Sequence, residues 1–584
     1  MAVLAAQLGN DYQLTIAFTI CVYYLCAAGT NILVGYAGQK SLGQAGFFAA
    51  GAYCAAVLSS RFGLSPWLAL ALAPLVAGAF GALIALPSLR AKGPYLAMVT
   101  LAFGLVVEKL VTEWSDVFGG PQGLYGIAPL SFDGTAFSNL HWVWFAIALC
   151  VIVQILLGNL VRGDFGRALL SLQADEIAAA SVGVDVHRYK VLAFVIAAMT
   201  CGLAGALVAQ QNQYINSDFI SLNLSIFILL LVLFGGAGSL YAPLFGASAL
   251  VLIDAQLAQW PALQHFAYGA LLLLTLYVMP NGVAGVLTGA WRRGLSARPA
   301  QPPTQARHGQ HIRGNLPACP GLDGARAPGN VLAVQQVSKA FGGVRSAQDI
   351  SFCLQPGHIH ALIGPNGAGK STMINMLTGV IDPDSGDIAF AGTPIAGAAP
   401  HAICRLGVAR TFQNLRLFGG LSVVDNVMLG RHPRLPRGIW AQLLALPAAR
   451  HAEADARQWV RELLDFTGLS AVADVPAGQL AYGLQRRVEL ARSLATAPML
   501  LLLDEPAAGL NPQETRELGN LLVRIAGHGI TILMVEHHME MVMGISDHVI
   551  VLDHGVKIAE GRPADVQCNP CVIAAYLGAG SQAA

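Results

Sequence analysis

Nine apolar stretches fill the first half of this 584-residue chain, at about 14–35, 42–60, 64–87, 93–111, 140–158, 189–211, 222–236, 240–258 and 265–280. A bilayer core about 30 Å thick takes about 20 mostly apolar residues per helix. Residues 1–290 therefore predict a polytopic α-helical membrane domain of about nine spans. Charge tells the same story, since residues 1–290 hold nine Lys and Arg and the rest of the chain holds the other 25 of 34. Over the whole chain 11% of residues are charged, against about 25% in soluble proteins, which excludes a single water-soluble enzyme. A net charge of +1 argues against a dedicated nucleic-acid binder, which carries a basic surplus or stripe. The ten cysteines are scattered, without the dense spacing of a disulfide framework. Cys568 and Cys571 have no second pair nearby to complete a metal site.

Cytoplasmic loops carry the surplus of Lys and Arg. With nine spans, Lys40, Arg90, Lys92, Arg162, Arg167, Arg188, Lys190, Arg292 and Arg293 all fall on one side, which is then the cytoplasm. Arg61 is the exception, and Lys109 at a span end can snorkel outward. The second and seventh stretches are short or glycine-rich, the kind of interruption at which transporters build central sites. The polar loop at 159–188 holds Asp175 to Gly183, where acids, then alanines, then glycine predict a short capped helix. Docking on a soluble partner and an ordinary surface helix are both open to it. Glu108 and Asp254 lie in or near apolar stretches, where an ionisable group marks function or a helix end. Glu108, beside Lys109, reads as the latter, and Asp254 stays open.

From Trp291 to about Asn330 the sequence turns to Arg, Pro, Gln and Gly, a flexible tether with an expected span of roughly 35 Å. Residues 331–584 then predict a soluble domain. An apolar strand at 357–363 runs into Gly364-Pro365-Asn366-Gly367-Ala368-Gly369-Lys370-Ser371-Thr372, a G-x-x-x-x-G-K-S phosphate loop in its strand-to-helix setting. Glycines let backbone N–H groups close around phosphate oxygens and the helix start adds its positive dipole. Lys370 is expected at the β- and γ-phosphates of ATP and Ser371 on Mg²⁺. The apolar run Met499 to Leu503 delivers Asp504 and Glu505 to a sheet edge, Asp504 suited to the Mg²⁺ shell and Glu505 to polarising the attacking water. A phosphate loop with two such acids specifies an ATP hydrolase.

Between and beyond these lie Thr411-Phe412-Gln413-Asn414, Leu480-Ala481-Tyr482-Gly483-Leu484-Gln485-Arg486-Arg487 and Val535-Glu536-His537-His538. In order and spacing the set resembles the α/β P-loop ATPase domain of ABC transporters. The resemblance makes Gln413 the coupling glutamine near the metal, 480–484 the signature segment whose Tyr482 and Gly483 complete a partner's ATP site, and His537 the switch histidine. Phe341-Gly342-Gly343, Ala508-Gly509-Leu510-Asn511-Pro512 and Ala575-Tyr576-Leu577-Gly578 are similar to the branched-chain amino-acid (Liv-type) importer ATPases, with Phe341 stacking on adenine. The first half is similar to the permease of the same systems, in residues 35–44, 93–104 and Gly235-Gly236-Ala237-Gly238-Ser239.

The resemblance implies a permease fused to its ATPase in a bacterial inner membrane, with the ATPase domain cytoplasmic and lipids around the spans. It implies a second permease, a second ATPase and an extracytoplasmic substrate-binding protein as partners, and it makes Asp175 to Gly183 the coupling helix. Branched-chain or related apolar amino acids are the leading substrate, with urea, short amides or aromatic acids as the alternative. An exporter or a membrane-anchored ATPase without transport fits less well. The sequence departs from the family pattern at Ala481, Leu484, His538 and Leu105.

Overall fold

A computed structural model describes residues 10–88, 91, 93–132, 134–279, 282–285, 316–317, 329–436 and 438–577. The tether at 291–330, apart from 316–317 and 329–330, lies outside them, as do Arg90, Lys92, Arg292, Arg293 and Gly578. Two compact units emerge, and each borrows a segment from the other's stretch of sequence. The first comprises Met1–Gln173, Val186–Ala306 and Ile439–Ala445; the second comprises Ala174–Asp185, Arg307–Gly438 and Leu446–Ala584.

The first unit is helical. Its long elements are α1 (Asp11–Asn31), α2 (Gln44–Ser60), α3 (Pro66–Ser88), α4 (Pro94–Glu113), α5 (Asn139–Arg162), α6 (Asp164–Ala174), α8 (Val186–Asn212), α9 (Leu222–Gly235), α10 (Ala242–Leu257) and α11 (Pro261–Val278), with the short α7 (Glu176–Ser181) falling in the other unit. Each of the nine expected stretches is a helix among the described residues. Six are long and apolar enough to cross a membrane: Asp11–Tyr36, Pro66–Pro87, Pro94–Glu113, Asn139–Arg162, Val186–Asn212 and Ser217–Gly235. Helices α2 and α10, of 17 and 16 residues, are shorter.

Small residues set the packing, because helices in lipid associate by close backbone approach. A methyl group added at Gly51 of α2 would lie 2.1 Å from the Gly202 carbonyl oxygen of α8, and one at Gly205 would lie 2.0 Å from the Phe48 oxygen of α2. Polar side chains then join the glycine-rich segments. The chain after α1 forms a π-turn over Ile32–Tyr36. Asn31 donates to the Ser239 carbonyl at 2.9 Å and accepts from the Gly238 N–H at 2.9 Å. Thr100 Oγ1 accepts from Leu42 N–H at 2.9 Å, and Ser225 Oγ accepts from Ala45 N–H at 3.1 Å. The stretches at 35–44, 93–104 and 235–239 thus meet around one interrupted helix.

The second unit is α/β. A four-stranded antiparallel sheet has the order β2-β1-β4-β5, from β1 (Leu332–Phe341), β2 (Val344–Leu354), β4 (Ser385–Phe390) and β5 (Thr393–Pro394). A six-stranded sheet has the order β6-β7-β8-β3-β9-β10, from β3 (Ile359–Ile363), β6 (Val408–Arg410), β7 (Leu500–Asp504), β8 (Thr531–Val535), β9 (His548–Asp553) and β10 (Val556–Gly561). The first five of that order run parallel, and β10 is antiparallel to β9. Strands β3, β7 and β8 are buried along their whole length, as expected of a parallel sheet covered on both faces. Register places Asp504 opposite Val535, and Val535 opposite Leu362. Because the strands are parallel and in step, the loops that leave β3, β6, β7 and β8 open on one edge.

Two tests follow from this packing. Gly205→Val is expected to cost at least about 1–3 kcal/mol by overpacking, read as lost thermal stability in detergent, whereas Gly269→Val, with open space around it, is expected to leave the melting temperature unchanged. Buried His360 of β3 accepts from Gln355 N–H at 3.0 Å, and burial holds its imidazole down at about 4, helped by His548 and His358 and opposed by Asp547. The unfolded chain then takes up a proton near pH 6.5 that the folded chain refuses, so stability falls as pH drops from about 6.5 towards 4. Chemical denaturation across that range is expected to show a shallower loss for His360→Gln.

Candidate functional site

The loop after β3 closes on itself through glycine conformations. Gly364, Gly367 and Gly369 have φ of +150°, +85° and +96°. A methyl group at Gly364 would strike the Leu552 oxygen at 2.0 Å and one at Gly369 the Ser346 oxygen at 2.1 Å, while Gly367 faces open space. Asn366, Gly367 and Ser371 are exposed, and Ala368 is buried beneath them. Helix α12 (Lys370–Leu377) starts at the loop with no side-chain cap, so its first N–H groups are available to an anion. Lys370 Nζ donates to the Gly364 and Pro365 carbonyls at 2.7 and 2.8 Å, which holds its buried ammonium inside the loop. Burial pushes the Lys370 ammonium down, against the pull of Glu505 and Asp504.

Asp504 ends β7. Its Oδ2 accepts from Arg410 Nη2 at 3.2 Å, and its buried Oδ1 has no partner. Burial pushes its carboxyl up, with Arg410 opposing. Each of these charges is disfavoured by desolvation and relieved by an opposite charge. The pair therefore fits an anionic nucleotide at Lys370 and a divalent cation at Asp504, with the exposed Ser371 hydroxyl close in sequence to Lys370.

Glu505 adopts φ +46°, a left-handed conformation uncommon outside glycine. Its N–H bonds the Val535 carbonyl at 2.8 Å, and its Oε1 lies 3.1 Å from His537 Nε2. The sheet edge thus brings Glu505 and His537 together. Beneath them is a residue to which the sequence reading gave no role. Glu536, 1% exposed, accepts from Ala507 N–H at 2.6 Å, His537 N–H at 3.0 Å and His538 N–H at 3.4 Å. It ties the loop after β7 to the loop after β8.

Gln413 is exposed, in the loop after β6, and that loop is gripped from α17 (Tyr482–Ala495). Arg486 donates to the carbonyls of Phe412, at 2.6 Å, and of Gln413, and lies 3.5 Å from the Glu505 carbonyl. Glu489, fully buried, accepts from Phe412 N–H at 3.2 Å and from Arg486 at 3.0 Å, and Arg492 donates to the Arg416 carbonyl at 2.7 Å. Tyr482 and Gly483, at the start of α17, lie against Gly509 and Glu514. Phe341 is 46% exposed at the end of β1, with Lys339 Nζ 5.7 Å from its ring centre. Tyr576, near the C-terminal end, has its phenol pushed up by burial, opposed by a backbone hydrogen bond with Gly364 of the phosphate loop.

The segment 174–185 completes this unit. Asp175 caps α7, its Oδ1 accepting from Ile177 N–H at 2.8 Å and Ala178 N–H at 3.0 Å, and its Oδ2 accepts from Arg416 Nη1 at 2.6 Å. Arg416 also lies 5.1 Å over the Phe412 ring. Ala178 packs with Phe412, Phe418 and Leu429. Gly183, at φ +87°, sits where a methyl group would strike Pro433 at 2.4 Å. The predicted helix is therefore docked, and its seat is the loop that carries Gln413. Arg416 could have been suspected from its place three residues past Gln413; Arg486, Glu489 and Arg492 could not, because charges on a helix read as a solvated face.

A family profile described as branched-chain amino acid transport system / permease component matches residues 12–276, the ABC transporter profile matches 347–508, and the profile of the branched-chain amino acid ATP-binding cassette transporter matches 556–581. Over 249 residues, 42% of this chain, the sequence is 42% identical to the high-affinity branched-chain amino acid transport ATP-binding protein BraF of Pseudomonas aeruginosa and covers 98% of it. The corresponding LivG protein of Escherichia coli is 43% identical over the same number of residues, again with 98% of it covered. A crystal structure of a nucleotide-free ATP-binding cassette from an ABC transporter is 30% identical and aligns over 43% of this chain and all of that one, with a TM-score of 0.38. The chain belongs to the branched-chain amino acid ABC transporter family, and it unites the permease part and the ATP-hydrolysing part of such a system in one polypeptide.

Proposed function

We propose that this chain imports branched-chain amino acids across a bacterial inner membrane, driven by ATP hydrolysis in a cytoplasmic ATPase domain, together with a second permease, a second ATPase and an extracytoplasmic binding protein that selects the substrate. The observation that carries this reading is the seating of α7, a segment from within the permease stretch of sequence, on the loop that bears Gln413. Such a seat lets closure of an ATP site reach the permease.

In this reading the N–H groups of Gly364 to Ser371 bind the phosphates and Phe341 stacks on the base. Lys370 leaves the Gly364 and Pro365 carbonyls for the β- and γ-phosphates. Ser371, Gln413 and the free Oδ1 of Asp504 would hold Mg²⁺, which when bound supplies charge neutralisation on the transferred phosphoryl group. Glu505 takes a proton from the attacking water, and His537 Nε2 orients the Glu505 carboxylate from 3.1 Å. Tyr482 and Gly483 act on the ATP held by the second ATPase. Ala481 has no hydroxyl to offer a γ-phosphate there, so the site this chain completes in its partner lacks that contact.

Glu505→Gln is expected to keep ATP binding and lower hydrolysis roughly 10²–10⁴-fold, while Lys370→Ala loses binding of a fluorescent ATP analogue. Cells carrying the full set of subunits are expected to take up labelled leucine in competition with isoleucine, and to stop doing so with Glu505→Gln. Uptake that persists in that variant removes the base assignment. Uptake blocked by urea or benzoate, and not by isoleucine, removes the substrate. Asp175→Asn keeps the helix cap but loses the charge opposite Arg416. It and Arg416→Met are each expected to lower leucine uptake several-fold while ATPase activity persists. The double variant is expected to be no worse than either single one, as partners in one contact are not additive.

A further inference from the structure

The segment Ile439–Ala445 belongs to the first unit although its neighbours in sequence, up to Gly438 and from Leu446, belong to the second. It is held at the end of α5, where Asn159 Nδ2 donates to the Leu443 carbonyl at 3.2 Å and Phe165 N–H donates to Gln442 Oε1 at 3.3 Å. Asn159 is no arbitrary anchor. The exposed apolar residues of α5, Trp144, Ala148, Val151, Ile152 and Ile155, recur at helical spacing along one face, and Asn159 is the next position on that stripe. On a membrane-spanning helix such a stripe faces hydrocarbon, and the segment therefore sits where the stripe ends.

Its chemistry suits that place. The short helix α15 (Ile439–Leu443) turns Gln442 towards Phe165 at the start of α6, and its turn is closed by Leu444 N–H on the Trp440 carbonyl at 3.0 Å. Trp440 and Leu444, four residues apart and so on one side of that turn, are 68% and 57% exposed. At the same end of α5, Arg162 lies 3.4 Å from the Tyr241 hydroxyl, and Tyr241 is 52% exposed. Exposed Trp and Tyr with a basic side chain at the end of an apolar stripe are the composition of the headgroup boundary, where aromatic rings place an apolar body and a polar tip.

We propose that residues 439–445 form a lipid-facing arm, with Trp440 and Leu444 inserted at the headgroup level of the bilayer beside Arg162 and Tyr241. The arm lies within the ATPase stretch of the sequence, so that stretch gains a membrane contact far from the tether. The inference rests on the first unit spanning the membrane, and the test separates the two. The full chain is placed in phosphatidylcholine nanodiscs whose acyl chains carry bromine either close to the headgroup or near the bilayer centre, and tryptophan emission is compared with that of Trp440→Phe. The difference between the two proteins is expected to be quenched by the shallow bromines at least twofold more than by the deep ones. If the remaining tryptophans are quenched but the Trp440 difference is not, the arm faces water or protein and the proposal is overturned, while the membrane reading stands. If neither lipid quenches any tryptophan, the membrane reading fails and takes the proposal with it.

Discussion

The nucleotide unit depends on a carboxylate and two guanidiniums that α17 carries into its buried interior. Glu489 is fully buried, with Arg486 at 3.0 Å and the Phe412 N–H at 3.2 Å. Taking such charges out of water is costly unless every lone pair and proton is met. Here the cost secures position, because the partners are the backbone of the loop at 411–416 and not other side chains alone. Arg486 holds the carbonyls on either side of the Phe412–Gln413 junction, and Arg492 holds that of Arg416. Gln413 and Arg416 therefore stand on a backbone fixed at several points, with Phe412 packed inward against Ala178 and Phe418. Loss of the α17 cluster would loosen the metal-side glutamine and the seat of α7 together.

Strain and burial divide the work at the sheet edge. The parallel strands bring Leu362, Asp504 and Val535 into step, so the acids and the histidine arrive at the phosphate loop without a long lever. Glu505 pays with a left-handed backbone, and it is held there by its own N–H on Val535. Glu536 supplies the stiffness beneath by taking three N–H groups from two loops.

What the sequence made legible was the chemistry that demands a residue type. Glycines with positive φ in the phosphate loop and acids at the end of an apolar strand have few substitutes, so Gly364 to Thr372, Asp504 and Glu505 can be read directly. Tertiary choices could not be read in that way. Arg486, Glu489 and Arg492 have the spacing of a solvated helix face, and only packing shows that this face is buried. The division of the chain was also hidden in part, because 174–185 and 439–445 are too short for composition to reveal which unit they join. The nine apolar stretches were visible as helices, and the second, already short or glycine-rich in the sequence, ends at 17 residues as Gln44–Ser60.

Asp175 spends one oxygen on the first turn of α7 and the other on Arg416. A helix of six residues is too short to nucleate by itself in water. Its order is therefore supplied largely by the surface that receives it, and the element exists as a helix to the degree that it is engaged. A chain whose docking and folding share one carboxylate reports a failed fit as a melted segment, so a seat altered at Arg416 would leave a flexible loop there and not a rigid lever pushing the wrong way.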